Sequence, residues 1–217
     1  MDTIKHNSAR LYNCDEPDIP TVQHKHTEIL GLKGKRQTSS LQSAEQGSLA
    51  TVVNCMSPTG HFIPPLLVFP RKNMKQELIN GTPPGAIHAY RRGGYGARFF
   101  PCGFFIHQIY KTDKRRSCYL STGRAVFLEV ITLARENHVD INCLPPHSSH
   151  KMQPLDKAFM GPLKTFYCQE IEKWFRSHPR RVVTVYQICE LFGNVYKRAA
   201  TGEIAANGFR VHRPRSL

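Results

Sequence analysis

An α/β fold is predicted for this chain, a mixed sheet flanked by helices with a disrupted central segment, on three observations. The β-branched run Leu49-Ala50-Thr51-Val52-Val53-Asn54-Cys55-Met56 meets a Ser57-Pro58-Thr59-Gly60 turn and then a second apolar run over 61–69, which is the pattern of an antiparallel hairpin. A helical period over 128–137 leads directly into a short apolar stretch at 139–144, the order expected of a parallel crossover. A long helical period follows Asp156, with Phe159, Leu163, Phe166, Tyr167, Ile171 and Trp174 on one face.

Element by element, residues 8–14 form a first strand, with Asp15 at its C-terminal end. Residues 16–48 are polar, carry Gly31, Gly34 and Gly47, and are expected as a loop or ribbon. The hairpin of 49–69 lies next to the first strand, and Pro64-Pro65 inside its second arm predicts an edge or a bulge. In the helix at 128–137, Val130, Ile131, Leu133 and Ala134 face inward, and 139–144 is a short buried strand. Pro162 suits the first turn of the long helix. Val185, Ile188, Leu191, Phe192 and Val195 mark another helix, 203–208 one further turn, and 211–217 an unstructured tail. This makes one domain over 1–210, interrupted at about 88–128.

The interruption is a stretch where aromatics and glycines alternate without a period of 2 or 3.6, as in Arg92-Gly93-Gly94-Tyr95-Gly96 and Phe99-Phe100-Pro101-Cys102-Gly103-Phe104-Phe105. No element is assigned to 88–127. The same region, 88–128, holds eight basic residues against Asp113 alone, half of the chain's net charge of +14. Basic residues with interleaved rings can hold single-stranded nucleic acid by charge and stacking. The reading preferred here is a poorly ordered segment, with 90–127 the least ordered internal stretch, because no helix or strand frame presents those rings together.

With 217 residues, 40% hydrophobic, the chain is long enough for one packed domain. A charge of +14 and a pI near 9.7 favour a polyanionic partner through counterion release. Seven cysteines without a pairing pattern, and no apolar leader in the first 13 residues, point to a reduced compartment. The absence of a run of about 18 apolar residues gives no expectation of a membrane span. The charge makes the nucleus the expected location.

Asp15 and Asp156 each sit at the edge of a regular element. Carboxylates gathered from distant strand and helix ends are what a divalent-metal phosphoryl-transfer site uses. On spacing alone a turn accounts for Asp15 and a helix cap for Asp156. Cys143, His147 and His150 are three possible zinc ligands without a second pair, and Ser148, His150 and Asp156 lack a nucleophile elbow.

Five blocks carry a resemblance. They are Tyr12-Asn13-Cys14-Asp15-Glu16, Lys33-Gly34-Lys35-Arg36-Gln37, Thr51-Val52-Val53, Pro64-Pro65-Leu66-Leu67-Val68-Phe69, and Leu144-Pro145-Pro146-His147-Ser148-Ser149-His150-Lys151-Met152-Gln153-Pro154-Leu155-Asp156. Together they resemble the DDE superfamily endonuclease domain, in the pogo/Tigger/jerky and centromere-protein-B-type group of transposases and their domesticated relatives. The last block is the most specific. The resemblance covers 9–87 and 129–210.

The resemblance implies a ribonuclease H-like fold with a five-stranded mixed sheet and helices on both faces. It implies DNA as partner and Mg²⁺ or Mn²⁺ held by catalytic Asp15 and Asp156, which should lie close together. Lys33, Lys35, Arg36 and Lys151, inside the matching blocks, become candidate nucleic-acid contacts. The family's second Asp follows a hydrophobic strand and falls near 119–126, where this chain reads Tyr119-Leu120-Ser121-Thr122-Gly123-Arg124-Ala125-Val126. Asp113 and Glu129 are the acids flanking that gap. Pro17-Asp18 stands where the family has Thr-Gly, and the family's N-terminal helix-turn-helix is not expected here. Loss and recovery of pattern across 88–128 is what a shifted reading frame produces. The expectation is a transposase-derived DNA-binding protein with degraded catalysis; an active endonuclease recruiting Asp113 or Glu129, and a non-functional or protein-binding remnant, are the alternatives.

Overall fold

The computed structural model describes residues 8–20, 49–69, 75–90, 106, 118–122, 128–145, 148 and 152–210. The loop or ribbon expected beyond residue 20, most of the interruption and the tail at 211–217 lie outside the described residues. The strands are β1 (Leu11–Asp15), β2 (Asp18–Pro20), β3 (Leu49–Met56), β4 (Phe62–Phe69), β5 (Ile87–Tyr90), β6 (Cys118–Thr122) and β7 (Val139–Cys143). The helices are α1 (Leu128–Glu136), α2 (Met160–Ser177), α3 (Val185–Ala199) and α4 (Gly202–Arg210). A π-helical turn, Leu155–Phe159, runs into α2.

The strands form one mixed sheet in the order β5-β4-β3-β1-β6-β7. β1, β3 and β4 are antiparallel neighbours, whereas β6 lies parallel to β1 and β7 parallel to β6. The resemblance implied five strands. The structure adds β5, parallel to β4 at the edge, and β2, which extends the β3 pairing beyond β1. Pro17 sits in the break between β1 and β2, where its missing N–H costs no ladder bond. The Pro17 carbonyl still accepts from Val52 N–H at 2.9 Å, so β3 runs unbroken past the interruption.

Period-2 alternation in β3 divides the core. Val52 and Met56 face one cluster with Leu67, Phe69, Leu155, Phe159, Leu163, Ile188, Phe192 and Val195. Val53 and Cys55 face the other, with Tyr12, Cys14, Leu66, Val130 and Ala134. Helices α2, α3 and α4 therefore cover the first face and α1 the second. Each fully buried large apolar side chain in these clusters contributes roughly 1.5–3 kcal/mol relative to exposure.

Local chemistry sets the helix starts. Thr184 caps α3: its Oγ1 accepts from Tyr186 N–H at 3.4 Å, and its own N–H donates to Gln187 Oε1 at 3.0 Å. The Thr201 hydroxyl accepts from Ile204 N–H at 3.3 Å at the start of α4, a nine-residue helix rather than a single turn.

Of the edge or bulge expected at Pro64-Pro65 the structure has the bulge: the β3–β4 register shifts between Val53 and Cys55, and β5 covers the outer side of β4. Three expectations change. Ile131 is 41% exposed, because Val130 and Ala134 already define the inward stripe of α1 and the next residue turns about 100° away. In β7 only Val139 is buried, since β7 is the last strand and has a neighbour on one side alone. Finally, β5 ends and β6 lies within the stretch to which periodicity assigned no element. β6 is short, and its frame comes from pairing with β1 and β7 rather than from its own alternation.

Candidate functional site

β1 ends at Asp15, and the π-helical turn carrying Asp156 is fastened beside that end. The Gln153 side chain donates through Nε2 to the Cys14 carbonyl at 3.2 Å. Leu155 N–H donates to Asn13 Oδ1 at 3.0 Å. Asp15 and Asp156 are the next residues after Cys14 and Leu155, so two separate bonds hold the chain where the carboxylates branch off. Asn13, Gln153 and Leu155 are buried, Asp15 is half-buried and Asp156 exposed. The polar groups of the anchor are thus satisfied inside the fold while the carboxylate edge reaches solvent.

Further packing holds the anchor down. Gly208 on α4 lies so close to the Pro154 carbonyl that a Cβ there would meet the oxygen at 2.7 Å. Only a residue without a side chain lets α4 press against the segment leading to Asp156.

Side chains two apart on a strand share a face, so Asp15 projects from the face on which Asn13 reaches Leu155. Across the antiparallel pair, Asp15 stands opposite Asn54 of β3, which places Asn54 on that face too. Asn54 is completely buried. Its Nδ2 reaches the Val52 carbonyl only at 3.5 Å, and among the described residues its Oδ1 has no hydrogen-bond partner. Leaving such an oxygen unpaired costs about 1–3 kcal/mol. Motif and spacing do not single out Asn54. The available signal was an Asn inside a β-branched run, a residue type depleted from strands.

On the other side of β1, the parallel register pairs Asn13 with Ser121 of β6. β6 spans Cys118–Thr122 and contains no acidic residue. Of the two flanking acids, Glu129 belongs to α1, which packs on the opposite face of the sheet from Asp15. Asp113, the candidate nucleic-acid contacts Lys33, Lys35, Arg36 and Lys151, and His147 and His150 of the zinc alternative lie outside the described residues. Cys143 is exposed at the end of β7. Ser148 donates its hydroxyl to the Pro145 carbonyl at 2.6 Å. Among the described residues no three His, Cys, Asp or Glu side chains form a metal-binding group.

The donor chemistry fits one hard cation. Carboxylate oxygens of Asp15 and Asp156 and the unpaired Asn54 carbonyl are the oxygen donors that Mg²⁺ and Mn²⁺ prefer. Among the described residues β6 brings no further carboxylate of the kind that a pair of ions uses. Burial pushes the Cys189 thiol up to about 12, raises the hydroxyls of Tyr167 and Tyr196, and lowers the His88 imidazole.

Residues 46–190 match the DDE superfamily endonuclease family. Over 78 residues the chain is 35% identical to a protein of Cochliobolus lunatus named MFS-type transporter clz9, a stretch that is 36% of this chain and 8% of that protein. Among the described residues no helix is long and apolar enough to cross a membrane. The fold is similar to that of the Mos1 strand transfer complex, with a TM-score of 0.59 at 13% identity over 94% of this chain. It is also similar to the Mos1 transposase paired-end complex with left transposon end, with a TM-score of 0.52 at 12% identity over 97% of this chain. This chain spans 52% and 57% of the length of those two chains.

Proposed function

The chain belongs to the DDE superfamily endonuclease family, and from that premise we propose that it is a transposase-derived DNA-binding protein whose strand-cutting chemistry is degraded. The observation that carries the proposal is the acid-free strand β6 beside β1. The two-ion clamp of this chemistry needs enough carboxylates to hold both ions at the attacking and leaving oxygens. Here β1 and the π-helical turn supply Asp15 and Asp156 to the edge, and β6 ends in Ser121 and Thr122.

DNA as the partner rests on the charge of +14 and on the fold shared with Mos1 complexes, one of which contains a transposon end. A protein with this partner acts in the nucleus. Asp15 and Asp156 would hold a divalent ion, which would supply charge neutralisation at a phosphate oxygen. Gln153 and Asn13 position those carboxylates by fixing the two backbones from which they branch.

Incubation of the purified chain with supercoiled plasmid and Mg²⁺ or Mn²⁺ tests both halves. The expected result is retarded plasmid without nicking. Affinity should fall steeply with salt, by about a thousandfold between 50 and 200 mM if some six phosphates are contacted. Nicking that disappears in Asp156→Ala would restore the endonuclease reading, and no retardation at low salt would remove DNA as the partner.

A further inference from the structure

We propose that Asn54 is a ligand of a single divalent-cation site at the β1 edge, its amide carbonyl oxygen joining the carboxylates of Asp15 and Asp156. The proposal rests on the reading of Asp15 and Asp156 as the metal edge of this domain, and goes beyond it by naming the third donor. The observation is the buried Asn54 oxygen, without a hydrogen-bond partner among the described residues, on the residue directly across the ladder from Asp15. Opposed residues in an antiparallel pair have Cβ atoms about 4.5–5.5 Å apart on one face, a separation that two short side chains bridge through one ion.

The three donors suit the ion. Mg²⁺ and Mn²⁺ take carboxylate and amide carbonyl oxygens, keep several waters, and need one or two carboxylates rather than a full protein cage. Asn54 adds an oxygen without adding charge, so the site carries two negative charges for a 2+ ion. It thereby occupies a ligand position without restoring the anionic bridge that a second ion requires. Asn13, on the same face, is already engaged with Leu155 and is not the donor. The Nδ2 contact to Val52 turns the amide so that its oxygen is the free end.

The test uses the full chain and Mn²⁺ followed by electron paramagnetic resonance, with DNA binding measured separately in EDTA. The wild type should bind one Mn²⁺. Asn54→Leu should weaken binding about tenfold or more and Asn54→Asp should tighten it by a similar factor, each 1.4 kcal/mol being tenfold. Asp156→Asn should weaken it as well. A measurement on the unaltered protein guards against misfolded variants: Mg²⁺ should shift the side-chain amide resonance of Asn54 in a ¹⁵N-labelled sample. Mn²⁺ affinity lost in Asp156→Asn but unchanged in both Asn54 variants would overturn the assignment and leave the metal edge standing, as would an unshifted Asn54 resonance on Mg²⁺ saturation. A wild type that binds no Mn²⁺ would overturn the assignment together with the metal edge. The EDTA measurement then decides separately whether the DNA-binding reading survives.

Discussion

Leu155 N–H donates to Asn13 Oδ1 across 142 positions of sequence, at 3.0 Å and in the buried interior. A side chain in the middle of β1 thus satisfies a backbone group at the start of the π-helical turn, and Asp15 and Asp156 follow the bonded residues by two positions and one. Removing the acceptor while leaving the buried donor costs the desolvation of an unpaired N–H. Asn13→Leu should therefore lower stability by about 1–3 kcal/mol. Urea unfolding checks this through a lower midpoint with an unchanged slope. Gln153→Leu should cost less, because it removes donor and side-chain amide together and leaves only the Cys14 carbonyl, which keeps a second lone pair for other partners. An Asn13→Leu protein as stable as the wild type would show that the bond is not an anchor.

Two helix glycines should respond oppositely to alanine. At Gly193 of α3 a Cβ would meet the Gly81 carbonyl oxygen at 1.9 Å, a collision with backbone that no rotamer relieves. Gly193→Ala should destabilise by about 1–3 kcal/mol or more as helix and turn are forced apart. At Gly161 of α2 a Cβ would have no other atom within 4 Å, and the residue is exposed. Gly161→Ala should stabilise by roughly 0.5–1 kcal/mol through helix propensity. Thermal melts of the pair settle the point: both moving in one direction would contradict the packing.

Much of the sheet was legible from the sequence because its antiparallel half declares itself locally. β3 and β4 are long, β-branched and joined by a four-residue turn, so their period and punctuation suffice. β6 was not legible in that way. Five residues including a Ser and a Thr become a strand only because β1 and β7 flank them, and such non-local pairing leaves no periodic mark. The buried face of α1 is one residue narrower than its apolar pattern, since Ile131 beside an inward stripe looks the same in sequence as a residue within it. At the site, the elements bearing Asp15 and Asp156 follow from their motifs. The bonds that join them do not, because Asn13 and Gln153 are ordinary polar residues until a fold buries them. The alternation of β3 likewise conceals Asn54, whose polar side chain sits at a core position of its strand.

His88 on β5 should make stability fall as the solution is acidified. Burial lowers its pKa from the usual value of 6.5, and among the described residues its shielded Nε2 has no hydrogen-bond partner. The unfolded chain takes up a proton as pH falls through about 6.5, while the folded protein resists until its own lower pKa is reached. In that window the unfolded state binds more protons and is favoured, so the contribution is present above about pH 6.5 and declines below it. Partial exposure of the ring keeps the effect modest. Other histidines titrate in the same range, and the difference between wild type and His88→Gln isolates this one. Urea midpoints at pH 7.5 and 5.5 should drop more for the wild type than for His88→Gln. Equal drops would mean that His88 is solvated well enough to take its proton in the folded state, and that β5 lies more open at the sheet edge than its packing against β4 indicates.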